Sequence, residues 1–120
     1  MEADVLFAGM PVRSLNDSLA WYESLFGRPP DIVPNENEVM WNVVGAGWVY
    51  VVEDAERAGR SLVAVAVSNL DEALAHVNQR GIRTDAVEMV GDAGRKAALT
   101  DPDGNSLTLI EVRAEGSSAG

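Results

Sequence analysis

Apolar positions along this chain alternate between two spacings, and the switches mark its elements. Residues 5–12 form a β-like apolar run, interrupted by Gly9 and Pro11. Leu15, Leu19, Tyr22 and Phe26 then recur at helical spacing. Ser14 or Asn16 can cap that helix, and Gly27 can end it. Residues 28–31, Arg-Pro-Pro-Asp, read as a loop. Two strand patterns follow, at 39–44 and 48–52, about the turn 45–47. Residues 54–59 are a polar turn or loop. The plan then restarts: a strand at 62–67, then a helix with Leu70, Leu74 and Val77 on its buried face. Asn69 or Asp71 can cap this helix, and Gly81 ends it. Strand patterns at 84–90, 96–100 and 106–112 complete the series. Asp101-Pro-Asp-Gly-Asn105 forms the tight turn between the last two. Residues 113–120 carry no pattern and read as a flexible tail.

The restart is an internal repeat. Segment 12–27 returns in outline as segment 67–81, with Val12, Leu15, Leu19 and Ala20 recurring as Val67, Leu70, Leu74 and Ala75. Each half reads as strand, helix, then two or three strands. The short turns make the last strands antiparallel. A helix covers only one face of such a sheet, so the other face must meet a partner, water or a ligand.

The 120-residue length and 47% hydrophobic content fit one soluble domain. No apolar run approaches a membrane span, and no basic-then-apolar stretch opens the chain, so neither membrane insertion nor a signal peptide is expected. Cysteine is absent, which excludes disulfides, thiolate metal sites and cysteine nucleophiles, and fits a cytoplasmic setting. A net charge of −10 argues against nucleic-acid binding. The acids are dispersed, as solubility alone would have them, while a cationic ligand would also suit the sign.

Three motifs carry a resemblance: segment 11–27 with its Trp21-Tyr22 pair, segment 67–73, and the hairpin 99–111. Together they resemble the glyoxalase, bleomycin-resistance and extradiol dioxygenase superfamily, the vicinal oxygen chelate proteins. The resemblance implies an α+β fold of two βαβββ modules, about 4–58 and 60–112, in a single domain. Their curved mixed sheet would surround a cavity, with the helices on the outer face. It also implies homodimers, as many members dimerise.

Metal-dependent members of that family hold a metal with two histidines and two carboxylates. The matching positions here are Phe7, Leu62, Tyr50 and Thr108. None is a donor a divalent metal would select. Phe7 and Leu62 are repeat equivalents, 55 residues apart, and both are apolar. The single histidine, His76, lies on the second helix and reads as a surface or packing residue. No metal or other cofactor is expected, and neither is glyoxalase I, epimerase or dioxygenase activity, which relies on the metal.

Strand alternation puts Trp48, Tyr50 and Val52 on one face and Val49 and Val51 on the other. With the resemblance, Phe7, Gly9, Trp41, Trp48, Tyr50, Leu62, Ala64 and Thr108 become the candidate ligand-contacting residues. Whether Trp41 or its neighbour Asn42 turns inward is not decided by the pattern. Three functions follow. The first is a metal-independent binding protein that sequesters a cationic or aromatic drug or metabolite. The second is a metal-free lyase or isomerase using Tyr50, Glu38, Glu53 or Lys96. The third is a non-catalytic dimeric module whose cavity is filled by Phe7, Leu62 and Tyr50.

Overall fold

The computed structural model describes residues 1–92 and 94–112. The expected tail, 113–120, lies outside the described residues. The first module runs β1 (Leu6–Val12), α1 (Leu15–Phe26), β2 (Ile32–Asn35), β3 (Glu38–Val44) and β4 (Gly47–Glu53). The second runs β5 (Leu62–Ala66), α2 (Leu70–Gln79), β6 (Glu88–Val90), β7 (Gly94–Thr100) and β8 (Ser106–Val112). The fold is α+β, built from two βαβββ modules. Each module makes its own four-stranded sheet, ordered β1-β4-β3-β2 and β5-β8-β7-β6. The pairs β1–β4 and β5–β8 are parallel, and the remaining pairs are antiparallel.

Two strands differ from the sequence pattern. β2 lies where only a loop was expected. Pro34 removes a donor from it, and all its residues are exposed, so it has neither the alternation nor the burial that marks a strand. It survives as an edge strand on β3. The strand expected over 84–90 shrinks to β6. Before it, among the described residues, the Asp85 N–H donates to the Ala98 carbonyl of β7 at 2.8 Å. Residues 85–87 are exposed and bury no apolar face that would extend the pairing.

Alternation along the strands sorts side chains to the two faces as the pattern requires. Met10, Val12, Val39, Val49 and Val51 point to the helix side of the first sheet, and Ala97, Leu99, Leu107 and Leu109 to that of the second. They join Leu15, Tyr22 and Leu25 of α1 and Leu70 and Val77 of α2 in the core. Burying each large aliphatic or aromatic side chain stabilises by roughly 1.5–3 kcal/mol.

The repeat extends to the helix starts. Ser14 and Asn69 are the N-caps, accepting from the N–H groups of Asp17 and Glu72. The N–H of Leu15 donates to Glu53 at 3.0 Å, and the N–H of Leu70 donates to Glu111 at 2.9 Å. Each module therefore uses the carboxylate near the end of its last strand to hold the first turn of its own helix. A carboxylate there satisfies an orphan donor and complements the helix dipole.

The modules are joined by a buried polar network. Asp101, 4% exposed, accepts five hydrogen bonds: from the Tyr22 hydroxyl at 2.6 Å, the Asn105 amide at 2.8 Å, and the N–H groups of Asp103, Gly104 and Asn105. Asn105, 1% exposed, also donates to the carbonyl of Pro11 at 2.7 Å and accepts from the N–H of Ser61 at 2.9 Å. The loop before β5 lies so close to this hairpin that a side chain at Gly59 would strike the Asp103 carbonyl. Further out, Arg13 pairs with Asp103 at 2.9 Å. Arg80, the residue that caps the C-terminus of α2, donates to the carbonyls of Ser24 and Leu25 in the last turn of α1. Burial, helped by the neighbouring Asp101 carboxylate, pushes the Tyr22 phenol well above its ordinary value, so it stays a donor.

Two predictions follow from this packing. Asp101→Ala strands five donors and should cost about 3–5 kcal/mol, whereas Tyr22→Phe, which leaves Asp101 its other partners, should cost about 1–2 kcal/mol. Urea denaturation of both variants and of their combination checks the order. Equal costs would contradict the hub role of Asp101.

The second concerns pH. The Leu70 N–H, with Arg95 adding a smaller effect, holds the Glu111 carboxyl below the usual carboxylate range. Its folded pKa thus lies below its unfolded value of about 4.3, so the unfolded chain takes up the proton first. The stabilisation is complete above that value and fades as pH falls through the folded one. Glu111→Gln should lower the melting temperature at pH 7, and the gap to the parent should narrow between about pH 5 and pH 3. A gap independent of pH would contradict the assignment.

Candidate functional site

The face of each sheet turned away from the helices carries the residues without a core partner. On the first sheet the strand register builds three rows. Phe7, Trp48 and Asn42 form one, Gly9, Tyr50 and Met40 the next, and Pro11, Val52 and Glu38 the third. The Phe7 and Trp48 rings lie side by side with centroids 6.3 Å apart. The Tyr50 ring leans across Gly9, where an added Cβ would sit 2.6 Å from the ring and its hydroxyl. Gly9 is thus the space that the Tyr50 ring occupies. Asn42 spends its amide on the carbonyls of Gly45 and Gly47, bracing the β3–β4 turn.

The second sheet presents a different chemistry at equivalent positions. Its rows are Leu62, Ser106 and Thr100, then Ala64, Thr108 and Ala98, then Ala66, Ile110 and Lys96. Where the first sheet offers rings, the second offers small side chains and hydroxyls. Leu62 is 81% exposed and Phe7 50%, so neither plugs a cavity inside this chain.

The candidates therefore fall into three groups. Phe7, Gly9, Trp48 and Tyr50 come together on the first open face. Leu62, Ala64 and Thr108 come together on the second. Trp48 and Ala64 share a narrow apolar cleft of about 260 Å³ where the β1 and β5 edges approach each other. Trp41 is a correction. It is fully buried under α1, with its ring 4.9 Å from that of Phe26 and its indole N–H donating to the Arg28 carbonyl at 3.0 Å. Its size and the aromatic residues of α1 draw it into the core, which turns Asn42 outward.

A wider cleft of about 520 Å³ opens beside Tyr50. It is lined by Gly9, Pro11, Tyr50 and Val52 of the sheet and by Asp54, Arg57, Arg60 and Ser61 of the connection to β5. Asp54 pairs with Arg57 at 2.8 Å, and hydrogen bonds from that guanidinium and from the Arg57 N–H hold the carboxyl below its usual range. The Ser61 hydroxyl donates to the Gly9 carbonyl at 2.6 Å. Sequence reasoning missed these connecting residues, because a polar link between repeats has no periodicity to mark it. The one signal was a pair of arginines, at 57 and 60, in a chain with only nine basic residues.

The acid–base candidates are placed as follows. Glu53 is committed to the Leu15 N–H, Glu38 stands half-buried beyond Val52, and Lys96 lies across from Glu88 on the second sheet. The donor set at the four family metal positions comprises a phenol, a hydroxyl and two apolar side chains, which does not fit a divalent metal. Among the described residues, no three histidine, cysteine, aspartate or glutamate side chains converge elsewhere.

Comparison with known proteins agrees with this architecture. The model of the glyoxalase/bleomycin resistance protein/dioxygenase superfamily matches residues 5–109. A glyoxalase/bleomycin resistance protein from Catenulispora acidiphila is 34% identical, with a TM-score of 0.86 over 92% of this chain and 100% of that one. A bleomycin resistance determinant encoded on transposon Tn5 is 24% identical, with a TM-score of 0.76 over 93% of this chain and 100% of that one. A bleomycin-binding protein in complex with bleomycin is 22% identical, with a TM-score of 0.72 over 94% of this chain and 100% of that one. No match was found among curated proteins. With the family model spanning nearly the whole chain and a relative at 34% identity, the chain belongs to the glyoxalase/bleomycin resistance protein/dioxygenase superfamily.

Proposed function

We propose that this protein binds a small organic molecule on the open face of its first sheet, without a metal, and that a second copy of the chain completes the site. The observation that carries the reading is the aromatic surface of Phe7, Trp48 and Tyr50, partly open to solvent, with Phe7 and Tyr50 at two of the positions that match the metal ligands of metal-dependent relatives. Flat rings with a few polar groups at their margin are the usual lining of small-molecule sites. Sequestration requires no reacting side chain. The bleomycin-binding relative holds its drug on the same fold, which supports the class of function and leaves the ligand of this chain unnamed.

The support for a second copy is the unequal chemistry of the two open faces. Phe7 and Leu62, on the two open faces, are 50% and 81% exposed, more apolar surface than an isolated chain comfortably shows. Turning the first face of one copy onto the second face of another would cover these residues. It would set rings against small side chains and, by twofold symmetry, create two equal sites.

The test is tryptophan fluorescence with a panel of aromatic drugs, bleomycin among them. Trp41 is buried and Trp21 packs against Tyr22 on α1, on the other side of the sheet, so quenching by a bound ligand should come chiefly from Trp48 and should be lost in Trp48→Phe. Light scattering should give a dimer, and Leu62→Arg should give monomers with binding weakened about tenfold or more. Silence across the panel in a well-folded dimer would sink the reading. With methylglyoxal and glutathione, added zinc, nickel, manganese or iron should produce no turnover, since the donor set offers the metal no firm seat. Metal-dependent turnover would overturn that expectation.

A further inference from the structure

The whole chain is strongly acidic, with a net charge of −10, yet the cleft beside Tyr50 is not. Its lining holds one carboxylate, Asp54, and two guanidiniums, Arg57 and Arg60. Asp54 is taken by Arg57 at 2.8 Å. Arg60 makes no ion pair among the described residues. The cleft therefore keeps one uncompensated positive charge at its rim.

The hydrogen-bonding groups point the same way. The Tyr50 hydroxyl has no hydrogen-bond partner among the described residues, while the Ser61 hydroxyl is already spent on the Gly9 carbonyl. What remains free toward the cleft is mostly donors: the Arg60 guanidinium, the unused N–H groups of Arg57 and the Tyr50 O–H. Between them lies an apolar strip of Gly9, Pro11 and Val52. Phe7 and Trp48 continue the same face beyond Tyr50. Glu38 stands on that face one strand past Val52, outside the cleft lining.

From this arrangement we infer that the ligand carries an oxyanion head, a carboxylate, phosphate or sulfonate, held by Arg60 and the Tyr50 hydroxyl, with a flat apolar body lying toward Trp48 and Phe7. The inference rests on the reading of the open face as a ligand site and adds the charge of the ligand. It also reverses the sign that the whole-chain charge suggested. An anion approaching the protein meets a repulsive field at long range, but that field is screened over about 8–10 Å in physiological salt. At contact, a charge-assisted hydrogen bond to a guanidinium dominates.

The test uses one aromatic body in three charge states: 2-naphthoate, 2-naphthamide and 2-naphthylmethylammonium. Each is titrated into the intact protein by calorimetry. The naphthoate should bind about tenfold more tightly than the amide at low salt, and the ammonium most weakly. The advantage should shrink in 0.5 M sodium chloride, a concentration chosen to shorten the screening length to about 4–5 Å. Arg60→Gln should remove the advantage by weakening the naphthoate about tenfold and the amide far less, with the melting temperature unchanged, and Arg60→Lys should keep part of it. If all three probes bind equally, or the ammonium binds best, the oxyanion head is wrong and the open-face site stands. Equal binding is also the result expected if a carboxylate of a second copy already occupies Arg60. If none binds, both the head and the site reading fall.

Discussion

The structure depends on one buried contact, the carboxylate of Asp101 held among Tyr22, Asn105 and the turn that follows it. An ionisable group at 4% exposure is costly unless its lone pairs are occupied. Here the turn itself supplies three N–H donors, and the side chains of Tyr22 and Asn105 supply the rest. Because Tyr22 belongs to α1 and the turn to the second module, satisfying the carboxylate also sets the two modules in register. Asn105 extends the same contact to Pro11 near the end of β1 and to Ser61 just before β5. Two residues that line the wide cleft, Pro11 and Ser61, are thus held by this network.

With the modules locked on the helix side, the opposite faces of both sheets are left open. Duplication of the backbone did not bring duplication of the surface. Glu53 and Glu111 do the same work at the helix starts, whereas three residues earlier Tyr50 and Thr108 do different work. The helix start tolerates little change, because an orphan N–H must be satisfied in each half. The open face carries no such demand, so one half could become aromatic while the other became small and hydroxylated. Gly9 follows from that divergence, since its missing side chain is where the Tyr50 ring lies.

Charge separates in the same way between the whole and the site. Dispersed carboxylates make the chain acidic, and several of them are paired locally, as Asp31 is with Arg28 and Asp71 with Arg95. A net charge governs solubility and long-range approach, and it says little about a cleft whose own groups lie within contact of a ligand. The connection between the modules, read from its sequence as a plain polar link, supplies that local charge through Arg57 and Arg60.

The sequence by itself determined the two modules, both helices with their buried faces, and the antiparallel hairpins. These rest on local periodicity and turn chemistry, which adjacent residues display without help from distant ones. It also determined which side of β4 and β8 enters the core, since alternation allows only two choices and one is aliphatic. The short edge strands were less legible. β2 holds Pro34 and no buried residue, so its pairing comes entirely from β3. The orientation of Trp41, the bond from Tyr22 to Asp101 and the grouping of Arg57 and Arg60 beside Tyr50 were decided only by the tertiary structure. Tyr22 and Asp101 lie 79 residues apart, and no pattern along the chain encodes a contact at that distance. Such contacts arise when two surfaces close on each other and every buried polar group must find a partner.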